Sequence, residues 1–251
     1  MIFKPDSALV HDLHASPNIG DRRSDCRIDM IVLHYTGMSS AEKAIGWLAN
    51  PCSNVSCHYV VDEFGHITQM VPERLRAWHA GASHWAGETD TNSCSVGIEI
   101  QNPGHEHGYP EFPIEQMTAV IDLCRDIAGR REVRPERIIA HSDIAPGRKI
   151  DPGEKFDWAK LAVAGVGHWV EPAPLEEAQF LDDPAAFHST LELLRSYGYG
   201  IENPGREDWP TALIRSFQLH FRPARADGRL DTGTLDTLRR LIATLPAPLT
   251  S

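Results

Sequence analysis

The stretch Ile139-Ala140-His141-Ser142-Asp143-Ile144-Ala145-Pro146-Gly147-Arg148-Lys149-Ile150-Asp151-Pro152-Gly153 concentrates an imidazole, a cation and carboxylates in a segment rich in turn formers. Arg137-Ile138-Ile139-Ala140 before it reads as a short buried strand. Pro146, Gly147, Pro152 and Gly153 then exclude regular helix or sheet, so the chain must loop. A loop leaving a strand end can fold back and present His141, Lys149 and Asp151 around one point. Neutral imidazole and carboxylate are metal ligands, and an ammonium beside them could steady developing negative charge. The competing reading of any one of these residues alone is an ordinary polar surface loop.

Two upstream residues could join this set. Ile28-Asp29-Met30-Ile31-Val32-Leu33-His34 reads as a strand whose continuous apolar run suits burial on both faces. His34 at its carboxyl end could hold a metal at the sheet edge, or cap the strand through a backbone bond. In Cys94-Ser95-Val96-Gly97-Ile98-Glu99-Ile100-Gln101, alternation puts Glu99 beside Gly97 and Gln101 on one face. A carboxylate in an apolar strand is costly unless paired, hydrogen-bonded or near a metal, so Glu99 is read as functional rather than as a solvated edge residue. His58, in the strand expected over 57–61, is either core or site. Trp78-His79-Ala80-Gly81-Ala82-Ser83-His84-Trp85 is a loop of aromatic and imidazole groups that suits either a ligand wall or a buried cluster.

The elements that must position these groups follow from the pattern. Ser39 and Glu42 have capping-box spacing ahead of a helix ended by Asn50-Pro51. His66–Val71 alternates and pairs back on 57–61 as a hairpin. Residues 113–128 carry Ile114, Met117, Val120, Ile121, Cys124 and Ile127 at helical spacing, with Gly129 expected as the stop. Residues 1–27 read as an extended arm and 165–183 as a linker. Three helices are expected at Pro184–Tyr197, Trp209–Phe221 and Asp231–Leu241. The expected division is therefore an arm (1–27), a principal domain (28–164), a linker (165–183) and a small helical domain (184–251).

With 251 residues and a net charge of −11, binding of nucleic acid through bulk positive charge is not expected. The acidity is uneven: residues 185–251 hold eight arginines, no lysine and seven acids, a net +1, leaving −12 for the remainder. No membrane span or signal peptide is read at the N-terminus. The expectation is a cytoplasmic protein, or a periplasmic one if a leader has been removed. The five cysteines, without a Cys-x-x-Cys pair, are expected to be reduced.

Val32-Leu33-His34-Tyr35-Thr36, Trp78-His79-Ala80-Gly81, Val96-Gly97-Ile98-Glu99 and the segment His141–Gly153 together resemble the zinc N-acetylmuramoyl-L-alanine amidases of the type 2 amidase family, whose fold the peptidoglycan recognition proteins share. The resemblance covers about residues 25–165. Ala212–Gln218 and Asp227–Asp231 resemble, less specifically, the small helical peptidoglycan-binding module. The resemblance implies an α/β fold, with a mixed central sheet flanked by helices, plus a small C-terminal three-helix domain. It implies Zn2+ as cofactor, held by His34, His141 and Asp151, with Glu99 and Lys149 catalytic. Some phage members carry a tyrosine where Cys57 stands here, so Glu99 rather than a phenol would move the proton, as in the muropeptide-recycling branch. His79, Trp85 and Asn92 are candidate substrate contacts. The implied reaction cuts the amide between the lactyl group of N-acetylmuramic acid and L-alanine, with muropeptides or peptidoglycan fragments as partners and neither nucleic acid nor membrane. The alternatives are a peptidoglycan-binding protein without activity and a zinc amidase for another acyl-peptide.

Overall fold

The computed structural model describes residues 3–202 and 205–245; the outermost ends of the expected arm and of the expected C-terminal domain, and positions 203 and 204 within it, lie outside the described residues. In chain order the elements are β1 (Asp12–Leu13), β2 (Ile19–Gly20), β3 (Met30–Tyr35), α1 (Ala41–Leu48), β4 (Tyr59–Val61), β5 (Ile67–Gln69), β6 (Arg76–Ala77), α2 (Thr91–Cys94) and β7 (Ser95–Ile100). They continue as α3 (Ile114–Arg131), β8 (Ile138–Ala140), α4 (His141–Ile144), α5 (Trp158–Val163), α6 (Pro184–Tyr197), α7 (Trp209–Phe221) and α8 (Thr232–Ala243). Six strands form one sheet in the order β1-β5-β4-β7-β3-β8, and β2 pairs with β6 apart from it. Neighbours are parallel except the β4–β5 hairpin, so the sheet is mixed, flanked by helices, as the sequence leads one to expect.

The continuous apolar run of β3 has a direct cause: both of its faces are covered. Ile31 and Leu33 join a core with Val120, Cys124 and Ile127 of α3 and Trp158 and Leu161 of α5. Met30 and Val32 point the other way, where Ile139 and Trp85 meet Leu194, Leu213, Phe217 and Leu238 of the C-terminal helices. The C-terminal helices thus form part of the sheet's second core. Segment 165–183, read as a linker, is tied to them: Leu181 donates its backbone N–H to Leu230 O and Gln179 O accepts from Thr232.

Several local expectations shift. Ser40, not Ser39, caps α1 by accepting from Lys43 N–H. The strand expected from Cys57 begins at Tyr59. Gly129 does not end α3, which runs to Arg131 and stops where Glu132 turns left-handed at φ 55°. Nothing packs on Gly129, and one glycine costs an eighteen-residue helix only about 1 kcal/mol. The expectation of five reduced cysteines is corrected: Cys26 and Cys94 form a disulfide with Cα atoms 5.5 Å apart. Their separation of 68 residues hid the pairing; the arm runs beside the start of β7, where Arg23 also pairs with Glu88 at 2.7 Å.

Candidate metal centre

Parallel pairing of β3 with β7 and β8 sets the register that brings the site together. His34 lies opposite Glu99, and Leu33 opposite Ala140, so β8 delivers His141 one position further on beside His34. The following loop returns to the same point, closed at its base by Ser142 N–H donating to Asp151 O at 3.0 Å. His34 Nδ1, His141 Nδ1 and Asp151 Oδ2 then form a triangle with edges of 2.8, 2.9 and 3.2 Å.

The surrounding hydrogen bonds decide where the protons are. Ala80 O can only accept, so His141 Nε2, 3.1 Å away, donates to it and turns Nδ1 toward His34 and Asp151. Ser95 spends its hydroxyl hydrogen on Thr91 O at 2.6 Å, so it accepts from His79 Nε2–H at 3.1 Å. His79 Nδ1 is then bare and accepts from His34 Nε2–H at 3.0 Å, leaving His34 Nδ1 bare as well. Burial, and then His141, lower the His34 pKa to about 4; burial, and then His34, hold His79 well below its ordinary value. Both rings are neutral near pH 7. Two imidazole nitrogens and a carboxylate oxygen therefore converge on one point, an arrangement suited to a cation.

The donor set fits zinc. Two imidazole nitrogens and one carboxylate oxygen are zinc ligands with bonds of about 2.0–2.2 Å, and tetrahedral placement makes the donor–donor edge about 3.3 Å, close to the triangle found here. Each imidazole is oriented through its other nitrogen, as ligating histidines are. Three protein ligands leave a fourth position open.

The triangle opens into a cavity of about 570 Å³ lined by His141, Asp151, Glu99, Lys149, His79 and Trp47, among others. Glu99 Oε2 is buried without a hydrogen-bond partner. Burial, and then Asp151, push the Glu99 carboxyl well above its usual pKa, against a smaller pull from Lys149. A buried carboxyl group, the Lys149 side chain and two corners of the donor triangle, His141 and Asp151, thus line one cavity.

The remaining candidates separate. His79 lines the cavity, but its ring bonds His34 and Ser95. It lies so close to β7 that a Cβ on Gly97 would collide with it. A glycine inside an apolar strand is the signal that could have shown this approach. Trp85 is corrected as a substrate contact: it is 1% exposed in the second core, edge-on to Tyr199 at 5.0 Å and Tyr197 at 6.0 Å. Asn92 is corrected too, since its Oδ1 accepts from the backbone N–H of His79 at 3.0 Å and of Ala80 at 2.9 Å and so fixes the loop. His58 is a core residue; its Nδ1 accepts from Gly97 N–H at 3.0 Å. Arg148, which sequence reasoning passed over, donates to Ala80 O and Ala82 O at 2.5 and 2.7 Å and steadies the carbonyl that His141 uses.

No helix among the described residues is long and apolar enough to cross a membrane. The family described as N-acetylmuramoyl-L-alanine amidase matches residues 24–154. Escherichia coli (strain K12) N-acetylmuramoyl-L-alanine amidase AmiD is 36% identical over 223 residues, 83% of this chain and 80% of that protein. The Haemophilus influenzae 1,6-anhydro-N-acetylmuramyl-L-alanine amidase AmpD is 29% identical over 165 residues, 58% of this chain and 86% of that protein. The structure of E. coli AmiD in complex with the substrate anhydro-N-acetylmuramic acid-L-Ala-D-gamma-Glu-L-Lys is similar with a TM-score of 0.77 and 33% identity, covering 91% of this chain and 90% of that one. Pseudomonas aeruginosa AmpDh3 in complex with anhydromuramic pentapeptide is similar at a TM-score of 0.76 and 31% identity, covering 88% and 93%. With a matched segment that takes in five of the six strands of its main sheet and the whole donor triangle, the chain belongs to the N-acetylmuramoyl-L-alanine amidase family.

Proposed function

We propose that this chain is a zinc-dependent amidase that hydrolyses the amide between the lactyl group of N-acetylmuramic acid and L-alanine, with 1,6-anhydro-muramoyl peptides among its substrates, in peptidoglycan turnover or recycling. The observation that carries the reading is the meeting of His34 Nδ1, His141 Nδ1 and Asp151 Oδ2 within 3.2 Å of one another. The likeness to AmiD and AmpDh3 in complexes with anhydromuramyl peptides supports the substrate class.

His34, His141 and Asp151 hold the zinc. When bound, zinc supplies polarisation of the amide carbonyl and activation of water at neutral pH. Glu99 Oε2, free of other partners at the cavity wall, takes the proton from the attacking water and returns it to the leaving amine nitrogen of L-alanine. Lys149 places its ammonium toward the oxygen that gains charge as the carbonyl becomes tetrahedral, a contribution of about 3 kcal/mol in comparable sites. His79 keeps the His34 tautomer through Ser95. The amidase unit is residues 28–164 and the helical unit 184–251, joined by 165–183. The cytoplasmic setting expected from the sequence goes with a soluble substrate, and cell fractionation tests it.

The decisive experiment is metal analysis together with mass spectrometry after incubation with an anhydro-muramoyl tripeptide and, separately, with intact sacculi. One zinc per chain and release of a peptide beginning with L-alanine is the expected result, faster from the soluble substrate. Binding of the muropeptide without cleavage would overturn the proposal.

A further inference from the structure

The loop between His141 and Asp151 is gripped from outside by the C-terminal helices. Asp143, fully buried two residues beyond His141, accepts from Ala140 N–H at 2.8 Å, from Tyr199 OH at 2.5 Å and from His220 Nδ1 at 2.6 Å. The His220 ring is fixed in turn, stacked on Trp158 and on Phe221 with centroids 3.7 Å away in each case. Further along the loop, Arg206 donates to Gly147 O. Gly147 itself sits at φ +69°, so close to α7 that a Cβ there would lie 2.9 Å from Ala212 Cβ. His84 N–H donates to Ile144 O at 2.8 Å, on the side facing Gly200.

Two of the three donors to Asp143 thus come from beyond residue 184, and the carboxylate they hold caps the start of α4 through Ala140 N–H. Its first residue carries a vertex of the donor triangle. A short helix of four residues has little stability of its own, so the direction of His141 Nδ1 depends on what fixes Asp143. We propose that Tyr199 and His220 are positioning residues of the metal centre: acting through Asp143 they set α4, and with it His141, so that the C-terminal helical unit is part of the frame that gives the centre its metal affinity. This inference rests on the zinc reading above.

The test uses the full chain. His220→Leu removes the donor and keeps apolar bulk between Trp158 and Phe221. His220→Asn restores a donor near the position of Nδ1. Tyr199→Phe removes one oxygen only. Leu238→Ala, in the shared core away from Asp143, is the control for general loosening. Zinc dissociation constants come from competition with a chromogenic chelator, and the visible spectrum of the cobalt-substituted protein reports ligand geometry. Tyr199→Phe and His220→Leu should weaken zinc about 10-fold and shift the cobalt bands. His220→Asn should recover most of the loss, and Leu238→Ala should lower the melting temperature with zinc affinity unchanged. Wild-type affinity in both Tyr199→Phe and His220→Leu, or an equal loss in Leu238→Ala, overturns the inference and leaves the zinc reading standing. Failure of the wild-type chain to bind zinc overturns the zinc reading itself, and this inference with it. If His220→Leu does not fold, Tyr199→Phe decides alone.

Discussion

Asp143 and Asp151 are both buried, both touch an imidazole Nδ1, and lie at opposite ends of one loop, yet they are in opposite states. Around Asp143 every close neighbour has a hydrogen to give: Ala140 N–H, Tyr199 OH and His220. Around Asp151 Oδ2 the two facing nitrogens belong to rings whose other nitrogens already donate, His34 to His79 and His141 to Ala80 O. Burial is the same; the proton count differs. A buried carboxylate supplied with donors is a structural tie, whereas one facing bare nitrogens is a vacancy for positive charge. A third buried carboxylate, Glu73, belongs with Asp143, since Arg130, Arg131 and Tyr59 all donate to it at 2.7 Å.

The contrast breaks most severely if Asp151→Ala keeps its metal. This variant should lose stoichiometric zinc and with it all measurable release of L-alanyl peptide, checked by metal analysis and product mass. Next in size, Glu99→Gln should retain zinc while kcat falls by about 10²–10⁴-fold; near-normal turnover with zinc bound would remove Glu99 from the proton path. Ser95→Ala frees the far end of the relay that keeps His34 Nδ1 bare. Zinc should bind about 10-fold more weakly there, as read by chelator competition, and an unchanged affinity would mean that the His79–Ser95 contact does not set the tautomer.

The smallest effect concerns stability rather than chemistry. Burial pushes the Glu73 carboxyl up, but Arg130, Tyr59 and Arg131 outweigh it and bring its pKa down to about 2. A carboxyl held below its unfolded value stabilises the fold above the unfolded pKa and loses that contribution as pH falls through the folded one. The unfolding free energy read from urea titrations should therefore decline between about pH 4.5 and 2, by at most about 3 kcal/mol. Glu73→Gln should be less stable at pH 7 and flatter over that window. An identical acid slope in the two proteins would remove Glu73 from the class of donor-satisfied carboxylates.

How much of this could be read from the residues alone depends on chain distance. The doubly buried strand ending in His34, the spacing of α3 and the extents of α6 and α7 follow from local periodicity, and the structure reproduces them nearly residue for residue. The positions His34, Glu99, His141, Lys149 and Asp151 were legible through the family pattern, and the register of β3 with β7 and β8 brings His34 beside His141 and Asp151 at the cavity that Glu99 and Lys149 also line. The rest depends on contacts that no local pattern encodes. Tyr199 meets Asp143 across 56 residues and His220 across 77, and Cys26 meets Cys94 across 68. Trp85 looked like a ligand wall because its partners Tyr197 and Tyr199 lie more than a hundred positions downstream. Asn92 finds its role in the backbone of His79 and Ala80, which its Oδ1 holds.

The second face of β3 has a practical corollary. Met30, Val32 and Ile139 are greased by side chains from α6 to α8, so a gene cut at residue 164 would wet a stripe of oil along one side of the sheet. The severed front half should come out of cells as inclusion bodies or in the company of chaperones. Engineers seeking a smaller catalyst from this chain would do better to repaint those three positions with polar residues before trimming it.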